Sequence, residues 1–249
     1  MIEELLRAPV CAAEAFGDDR RAALFPGEEA LVAASPPRRR LEFATARGCA
    51  RAALARLGRP PAAVLADRRG APRWPDGITG SITHCAGYRA AAVALTRDVV
   101  SLGLDAAPNR PLRRPDMLDV IARDSERARL PALQAAGPRV SWDQLLFSAK
   151  EAVYKAWYPV ARRWLDFESA DIEFDVAGGT FAARLLVELP PALAGPVLAD
   201  TGLADTGPAS GTLRGVWTAS PEFLLTAVVT RPVVAGTAGA RRPATVSER

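Results

Sequence analysis

The stretch Ser148-Ala-Lys-Glu-Ala-Val-Tyr-Lys155 sets the interpretation of the whole 249-residue chain. Of the 32 lysine and arginine side chains only two are lysines, and both lie in this stretch, at Lys150 and Lys155. Arginine carries a permanent charge on a planar fork, whereas lysine is a compact ammonium whose pKa can be shifted. Glu151 precedes Lys155 by four residues, a spacing that places both on one helix face. The pattern fits either a site that handles phosphate and metal or a solvated helix face with one salt bridge.

A helix is predicted to begin at Ser141 and to carry this stretch. Ser141 and Gln144 have the spacing of a capping box, and Asp143 in the first turn complements the helix dipole. Pro159 predicts that the helix ends before it, because the residue ahead of a proline disfavours helical geometry. Strands are predicted after the helix over residues 170–176, 181–189, 213–219 and 223–230.

The first half is predicted to hold one long helix followed by strands. Residues 1–35 are expected to form a loose opening with short helical pieces. The helix spans about 38–57 and is stopped by Gly58. Strands are predicted next over residues 78–82, 89–95 and 99–104. Thr96-Arg97-Asp98 is interpreted as a hairpin turn between the last two strands, which places Asp105 at a strand end.

The two halves share a pattern in which a helix is followed by a two-stranded hairpin, at 89–104 and at 213–230. This likeness predicts an α+β fold of two related subdomains with a cleft between them. A polar helical region at 116–136, broken at Pro131, lies between the halves, and a Pro/Gly loop is predicted at 190–211. The predicted units are an N-terminal subdomain at 1–104, a C-terminal subdomain at 105–231 and a disordered tail at 232–249.

Composition and cysteine usage predict a cytoplasmic protein. The chain is long enough for a sizeable core. Cys11, Cys49 and Cys85 are scattered and odd in number, which indicates reduced thiols rather than a disulfide scaffold. The N-terminus is acidic where a signal peptide would be basic, and no apolar run approaches the length of a membrane span. No membrane partner is therefore expected.

The positive charge is concentrated in the first part of the chain. Residues 1–104 hold 15 arginines against 11 acids, whereas residues 105–249 are balanced at 17 against 17. Residues 38–73 alone carry ten arginines against Glu42 and Asp67. Such a patch attracts phosphate. Its scarcity of aromatic residues and the absence of nucleic-acid-binding signatures favour a small polyphosphate or an acidic protein over nucleic acid.

A second group of polar residues lies in Gly80-Ser-Ile-Thr-His-Cys-Ala-Gly87. It contains His84, the one histidine of the chain, which is expected in a loop where Thr83 and backbone N–H groups could also meet an anion. A lone histidine is more often structural than catalytic. A Cys85–His84 dyad is rejected, because neighbours in an extended segment point to opposite sides.

Together, G-S-I-T-H-C, G-L-D-A-A-P and F-S-A-K-E-A-V-Y-K-A-W resemble, in this order, the motifs of the 4′-phosphopantetheinyl transferases. The likeness is to the longer, monomeric type that includes the surfactin-synthetase-activating and enterobactin-synthetase-component-D-like enzymes. It covers roughly residues 36–230. The resemblance implies transfer of the phosphopantetheine arm of coenzyme A to a serine of an acyl or peptidyl carrier protein, with 3′,5′-ADP as the other product. Whether the carrier serves fatty-acid, polyketide or nonribosomal-peptide synthesis stays open.

The resemblance also implies roles for single residues. Asp105 and Glu151 would bind Mg²⁺ on the pyrophosphate, with Mn²⁺ as the alternative ion. Glu151 would also take the proton of the carrier serine, directly or through water. Lys155, with Lys150 as a second candidate, would contact phosphate oxygens and neutralise charge as the phosphoanhydride breaks. The remaining contacts to coenzyme A phosphates are assigned to Thr83 and His84 and, for the 3′-phosphate, to Arg39, Arg47, Arg68 and Arg69.

One position departs from the family pattern. The motif G-[IV]-D-x-E is here Gly103-Leu-Asp-Ala-Ala107, so the second acid is missing. Mg²⁺ often needs only one or two protein carboxylates, because substrate phosphates and water complete its shell. We therefore expect a working site with weaker metal affinity. A coenzyme A-binding module without turnover and a nucleic-acid-binding module are the two alternatives.

Overall fold

The computed structural model describes residues 1–114, 116–193 and 211–232. In chain order its helices and strands are α1 (Ile2–Leu5), β1 (Cys11–Phe16), α2 (Glu28–Val32), α3 (Pro37–Arg56), β2 (Leu65–Ala66), β3 (Pro72–Arg73), β4 (Ile78–Cys85), β5 (Tyr88–Leu95), β6 (Ser101–Pro108), α4 (Met117–Ile121), α5 (Asp124–Ala136), α6 (Trp142–Ala161), β7 (Ala170–Asp175), β8 (Thr180–Leu185), β9 (Thr212–Ala219) and β10 (Phe223–Thr230). This mixture of helices and sheets confirms the predicted α+β class. No helix within the described ranges is long and apolar enough to cross a membrane. The predicted tail from residue 233 onward and most of the predicted loop at 190–211 lie outside the described residues.

The first sheet has three antiparallel strands in the order β1-β5-β4. In the central strand β5, seven of the eight side chains are buried. Because successive side chains alternate between the two faces, Ala91 and Val93 pack with Ala50 and Leu54 of α3. The intervening alanines face the other way. Small side chains on both faces therefore allow this strand to lie between two layers.

The second sheet has five antiparallel strands in the order β6-β10-β9-β8-β7. One of its faces packs against the free face of the first sheet, through Leu102 and Leu104 of β6 and Ala92 of β5. The opposite face packs against α6, and the buried Trp157 lies in that core. Two hydroxyls join the sheets, because Ser81 Oγ accepts the Leu104 N–H at 3.0 Å and Thr83 Oγ1 accepts the Ala106 N–H at 2.9 Å.

Strand β6 contacts the backbone of α6 directly. A Cβ atom on Gly103 would lie 1.9 Å from the carbonyl oxygen of Ala152 and 2.6 Å from the nitrogen of Ala156. Ser101, two residues earlier on the same face, donates its hydroxyl to the carbonyl of Ala156. The next residue on that face is Asp105. The close approach thus fixes which residues of α6 lie opposite this aspartate.

Three expectations about strands are wrong. Residues 11–16 belong to β1 and not to a loose opening, although the short helices α1 and α2 were expected there. Residues 96–98 connect the two sheets rather than forming a hairpin, because β5 pairs with β4 across a turn at Gly87, whose φ of 86° suits glycine. Asp105 lies inside β6 and His84 inside β4, not at a strand end and in a loop.

The helices extend past two prolines that were expected to interrupt them. Pro131 lies within α5 and Pro159 within α6. A proline removes one backbone donor, but the Arg162 N–H still closes the last turn of α6 on the Tyr158 carbonyl at 2.9 Å. Arg162, the residue after the helix, is its C-cap and has a left-handed backbone with φ of 53°.

Ser141 is the N-cap of α6, as predicted, but the capping box is not formed. The Asp143 carboxylate accepts instead from the Gln144 N–H at 2.8 Å and from the Leu112 N–H at 2.8 Å. Asp143 therefore satisfies one N–H of the first turn of α6 and also ties that turn to the chain after β6.

Lys150 is a structural residue on the buried side of α6. Its Nζ lies 2.7 Å from Glu126 Oε2 of α5 and donates to the carbonyls of Phe167 at 2.7 Å and Ala170 at 3.0 Å. Only about 1% of either charged side chain is exposed. All three ammonium protons are used within the protein, which leaves none for a phosphate.

Replacing Gly103 by alanine is expected to destabilise the fold by about 3 kcal/mol or more, because the new methyl group would collide with backbone rather than with a flexible side chain. The free energy of unfolding in urea measures the effect. Gly48→Ala is the matched control. Its new methyl group would meet only Ala22 at 3.9 Å, so this change within α3 should stabilise by about 0.5–1 kcal/mol. Equal effects at the two positions would contradict the close approach of β6 to α6.

Lys150→Met is expected to cost about 3–5 kcal/mol of unfolding free energy, because it leaves Glu126 buried without its counter-charge. Adding Glu126→Gln to that variant removes the uncompensated charge and should recover part of the loss. Chemical denaturation of the single and double variants measures both effects. An unchanged unfolding free energy for Lys150→Met would show that the lysine is free for another role.

Candidate active site

Asp105 lies under α6 and is only 8% exposed. Its Oδ1 is 2.7 Å from Lys155 Nζ, and its Oδ2 accepts a hydrogen bond of 2.8 Å from Ser148 Oγ. Thr83 Oγ1, which already binds the neighbouring strand, is 3.4 Å from Oδ1. Both oxygens of the carboxylate are therefore held by side chains from β4 and α6.

The hydroxyl that holds Asp105 is itself positioned by β10. Ser148 Oγ lies 2.9 Å from Thr226 Oγ1, and the Thr226 hydroxyl also reaches the Ser148 carbonyl at 2.9 Å. Both residues are fully buried. Since a buried hydroxyl with fixed partners has little rotational freedom, the orientation of the Asp105 carboxylate is set from two sides.

Glu151 is the second acid of the site. Burial raises its pKa and the neighbouring Asp105 raises it further, while Lys155 lowers it in part. Asp105 and Glu151 repel one another, and no described residue donates a hydrogen bond to the Glu151 carboxylate. Such a pair of acids attracts a cation.

Lys155 is the ammonium group of the site. Besides its contact with Asp105, its Nζ donates to the carbonyl of Leu104 at 3.1 Å. Its side chain is 28% exposed, in contrast to that of Lys150. Two carboxylates and one ammonium leave a net negative charge, which a divalent cation would neutralise.

A cluster of charged groups lies beside these residues, on β4 and α3. Arg39 Nη1 is 2.9 Å from His84 Nε2 and 3.2 Å from Glu42 Oε2. Because a guanidinium can only donate, His84 Nε2 accepts, which leaves the ring proton on Nδ1, 3.3 Å from Glu42 Oε1. Burial and Arg39 lower the pKa of His84 against the opposing effect of Glu42, and Lys155 lowers it as well. Thr83, the residue before His84 on β4, has its Oγ1 3.4 Å from Asp105 Oδ1, so this cluster adjoins the acids.

Glu42 is the centre of that cluster. It also lies 3.3 Å from Arg89 Nη2, which in turn contacts Asp18 at 2.8 Å. Burial would raise the pKa of Glu42, but His84, Arg39 and Arg89 outweigh burial and lower it. Sequence reasoning missed this role, although the spacing of Arg39 and Glu42 on one helix is a signal that could have revealed it.

Arg47 is a buried cation behind Arg39. Its Nε donates to the Val64 carbonyl at 2.8 Å, and its guanidinium lies 4.0 Å from the centre of the Phe43 ring. Burial lowers the pKa of Arg47 to about 10, with Glu28 opposing this and Arg39 adding to it. The side chain therefore stays charged at neutral pH. Its Nη atoms make no hydrogen bond within the described residues, so they remain available to an anion.

The turn between β2 and β3 brings two further arginines towards α6. Arg68 is exposed, and the Arg69 guanidinium lies 5.9 Å from the centre of the Tyr158 ring. Tyr154 follows Glu151 by about one helical turn, and its ring centre lies 4.9 Å from that of Trp164, with the rings tilted by 56°; Trp164 is 59% exposed. This aromatic surface beside the acid was not predicted, since Trp164 lies beyond the motif.

The structure brings together most of the predicted site residues. Asp105, Glu151 and Lys155 form one group, and Arg39, His84 and Arg47 a neighbouring one. Lys150 is not among them. Thr83 was predicted to face an anion, but it is 2% exposed and its hydroxyl is engaged with β6. Its observed role is to position Asp105.

Ala107, at the position of the missing acid, follows Asp105 by two residues on β6 and is 4% exposed. Alternation along the strand places it on the same face as Asp105. The described part of the chain contains no group of three acidic, histidine or cysteine side chains that could hold a metal. Two carboxylates are thus what the protein itself offers to a cation here.

Comparison with known proteins agrees with the motifs. Residues 27–94 match the family described as "4′-phosphopantetheinyl transferase N-terminal domain", and residues 101–194 match the "4′-phosphopantetheinyl transferase superfamily". The chain is 48% identical to the 4′-phosphopantetheinyl transferase Svp of Streptomyces mobaraensis, over 100% of this chain and 98% of the relative. It is 42% identical to PptT of Mycobacterium tuberculosis, over 87% and 90%, and 42% identical to Npt of Nocardia iowensis, over 92% and 99%. The chain therefore belongs to the 4′-phosphopantetheinyl transferase superfamily and is an enzyme of this class.

Proposed function

We propose that this enzyme transfers the phosphopantetheine arm of coenzyme A to a serine hydroxyl of an acyl or peptidyl carrier protein, with Mg²⁺ held by Asp105 and Glu151. The observation that carries the proposal is the pairing of these two acids across the contact between β6 and α6, with Lys155 bonded to Asp105 and an arginine–histidine cluster alongside. Phosphoryl transfer asks a protein mainly for positioning and charge neutralisation, and these residues supply both.

The donor set fits Mg²⁺. Asp105 and Glu151 offer hard carboxylate oxygens, and Mg²⁺ in enzymes is commonly held by one or two carboxylates together with waters and substrate phosphates. Mn²⁺ accepts the same ligands. When bound, the metal neutralises charge on the pyrophosphate. Ala107 adds no ligand, so we expect the affinity for the free ion to be lower than a third carboxylate would give.

Glu151 is proposed as the base. Its raised pKa gives it more affinity for a proton than an ordinary glutamate has, and its carboxylate is not engaged by the described residues. The serine Oγ forms a bond to the phosphorus that carries the pantetheine arm, its proton goes to Glu151, and the bond from that phosphorus to the bridging oxygen breaks. The leaving group is adenosine 3′,5′-bisphosphate. As this bond breaks, negative charge develops on the oxygens at the phosphorus and on the leaving group. The Lys155 ammonium would neutralise part of that charge.

The arginine–histidine cluster is proposed to hold coenzyme A. Arg39 and Arg47 would contact the 3′-phosphate, and His84, with a donor on Nδ1 and an acceptor on Nε2, would contact a phosphate after exchanging one of its present partners. Arg68 or Arg69 would approach from the turn between β2 and β3. Tyr154 and Trp164 offer an apolar surface beside Glu151 for the pantetheine arm.

We further propose that the chain acts as a cytoplasmic monomer with two subdomains, 1–104 and 105–231, that face one another across the site. Strand β6 runs through this boundary. All three cysteines are free, which supports a reducing compartment. The alternative to a working transferase is a coenzyme A-binding homologue that turns over weakly because of Ala107.

The proposed reaction predicts that an apo carrier protein gains the mass of phosphopantetheine when mixed with the enzyme, coenzyme A and Mg²⁺. Glu151→Gln should lower kcat/KM by about 10³-fold, because it removes both the base and a metal ligand, whereas Glu173→Gln, an exposed acid on β7, should leave it unchanged. Intact-protein mass spectrometry measures the product. No gain on several carriers that an active transferase modifies would refute the proposal, and activity gained only with Ala107→Glu would support the weak-homologue alternative.

Glu151 also predicts a pH dependence of stability in the absence of metal. The folded protein holds a proton on Glu151 more tightly than the unfolded chain does, because its pKa is raised from 4.5. The wild type should therefore lose stability relative to Glu151→Gln as the pH rises above that value. In EDTA the variant should unfold at a higher temperature at about pH 7.5 and at an equal temperature at about pH 4. Mg²⁺ at neutral pH should raise the unfolding temperature of the wild type alone. A wild type more stable than the variant in EDTA would contradict the raised pKa.

A further inference from the structure

The turn that carries Arg68 and Arg69 is built around Asp67. Asp67 Oδ1 accepts hydrogen bonds from the N–H groups of Arg69 at 2.9 Å and Ala71 at 3.0 Å. The backbone closes the same turn, because the Asp67 N–H donates to the Ala71 carbonyl at 2.9 Å. One carboxylate oxygen thus fixes the shape of the turn that presents the two arginines.

The other oxygen of Asp67 attaches this turn to the catalytic helix. Tyr158 donates its hydroxyl to Asp67 Oδ2 at 3.1 Å, and Arg162 Nη1 is 3.6 Å from the same oxygen. Tyr158 lies 91 residues away in sequence and is 9% exposed. Its ring has the guanidinium groups of Arg69 and Arg162 each 5.9 Å from its centre. The turn is therefore held on α6 by a buried side chain and not by a flexible surface contact.

Tyr158 and Glu151 are related by the helix. They are seven residues apart, which is close to two full turns, so they share one face of α6. A rigid helix thus connects the anchor of the arginine turn to the proposed base. Burial would raise the pKa of Asp67, but the hydrogen bonds from Arg69, Ala71 and Tyr158 outweigh burial and lower it. The carboxylate is consequently ionised at neutral pH and keeps these contacts.

We propose that Asp67 is a positioning residue that sets the distance between the 3′-phosphate contacts of Arg68 and Arg69 and the proposed base Glu151. The inference rests on the proposed function. The 3′-phosphate of coenzyme A does not react, so contacts to it stabilise the bound substrate and the transition state alike and lower KM without changing kcat. Asp67 holds Arg68 and Arg69 where they can make these contacts, because it shapes the turn with one oxygen and attaches it to α6 with the other.

Asp67→Asn and Tyr158→Phe test this role separately. Asparagine keeps the acceptor for the turn but loses the anionic oxygen that meets Tyr158, and phenylalanine keeps the ring but loses the hydroxyl. Each change should raise the KM for coenzyme A about tenfold and leave kcat within about twofold, as loss of uniform binding does. The KM of the double variant should be no higher than that of the more affected single variant, because both substitutions remove the same interaction. Asp76→Asn, in another turn of the same half, is the matched control and should have no effect.

Dephospho-coenzyme A, which lacks the 3′-phosphate, makes the test specific. With this substrate the two substitutions should change KM by less than about twofold. An equal rise in KM for both substrates, or a fall in unfolding temperature and kcat with KM unchanged, would overturn the positioning role. Dissociation constants of both ligands, measured by calorimetry on the same proteins, should show the same pattern without turnover. If the dissociation constants follow this pattern but the wild type modifies no carrier, the role of Asp67 is retained and the proposed function is refuted.

Discussion

The contact between β6 and α6 is the constraint on which the rest of the site depends. A strand packs on a helix at this distance only where its side chain is absent, and Gly103 meets that condition opposite Ala152. Ser101 on one side of it bonds to the helix backbone, and Asp105 on the other contacts Ser148. The face of β6 therefore aligns with α6 residue by residue, and the two acids come together because the backbones do.

The charges of the site explain why it is held from several directions. Burial raises the pKa of Glu151, and the neighbouring Asp105 carboxylate raises it further. Lys155 offsets only part of the repulsion. Such a group of charges is stable only if its members cannot move apart, and the hydroxyls of Thr83, Ser148 and Thr226 supply that restraint for Asp105. In the proposed function, acids held in position in this way would have little to reorganise when a divalent cation binds.

The sequence was sufficient for the parts of the fold with local signals. The long helices and the hairpin β9–β10 could be predicted, since periodicity and turn residues are readable without knowledge of the partners. The metal-ligand roles of Asp105 and Glu151 follow from the resemblance to the family motifs and remain proposals. The pairing of β5 could not, because a strand of small residues buried on both faces shows no alternation. Lys150 illustrates the same limit. Adjacent helix positions lie about 100° apart, so Lys150 and Glu151 point to different surroundings, and only the position of Glu126 shows which of them is structural.

Ala107 affects how much negative charge the protein itself contributes to the site. An acid at this position would share the face of Asp105, so its absence reduces the negative charge of the site without altering the backbone that supports it. Fewer fixed acids mean weaker attraction for the free ion but also less repulsion towards the pyrophosphate that accompanies it. In the proposed function a bound metal would therefore depend more on the substrate for its ligands, and the arginines proposed to hold coenzyme A would contribute indirectly to holding it. In such a site the placement of the substrate, and hence the proposed role of the turn around Asp67, would matter as much as the acids themselves.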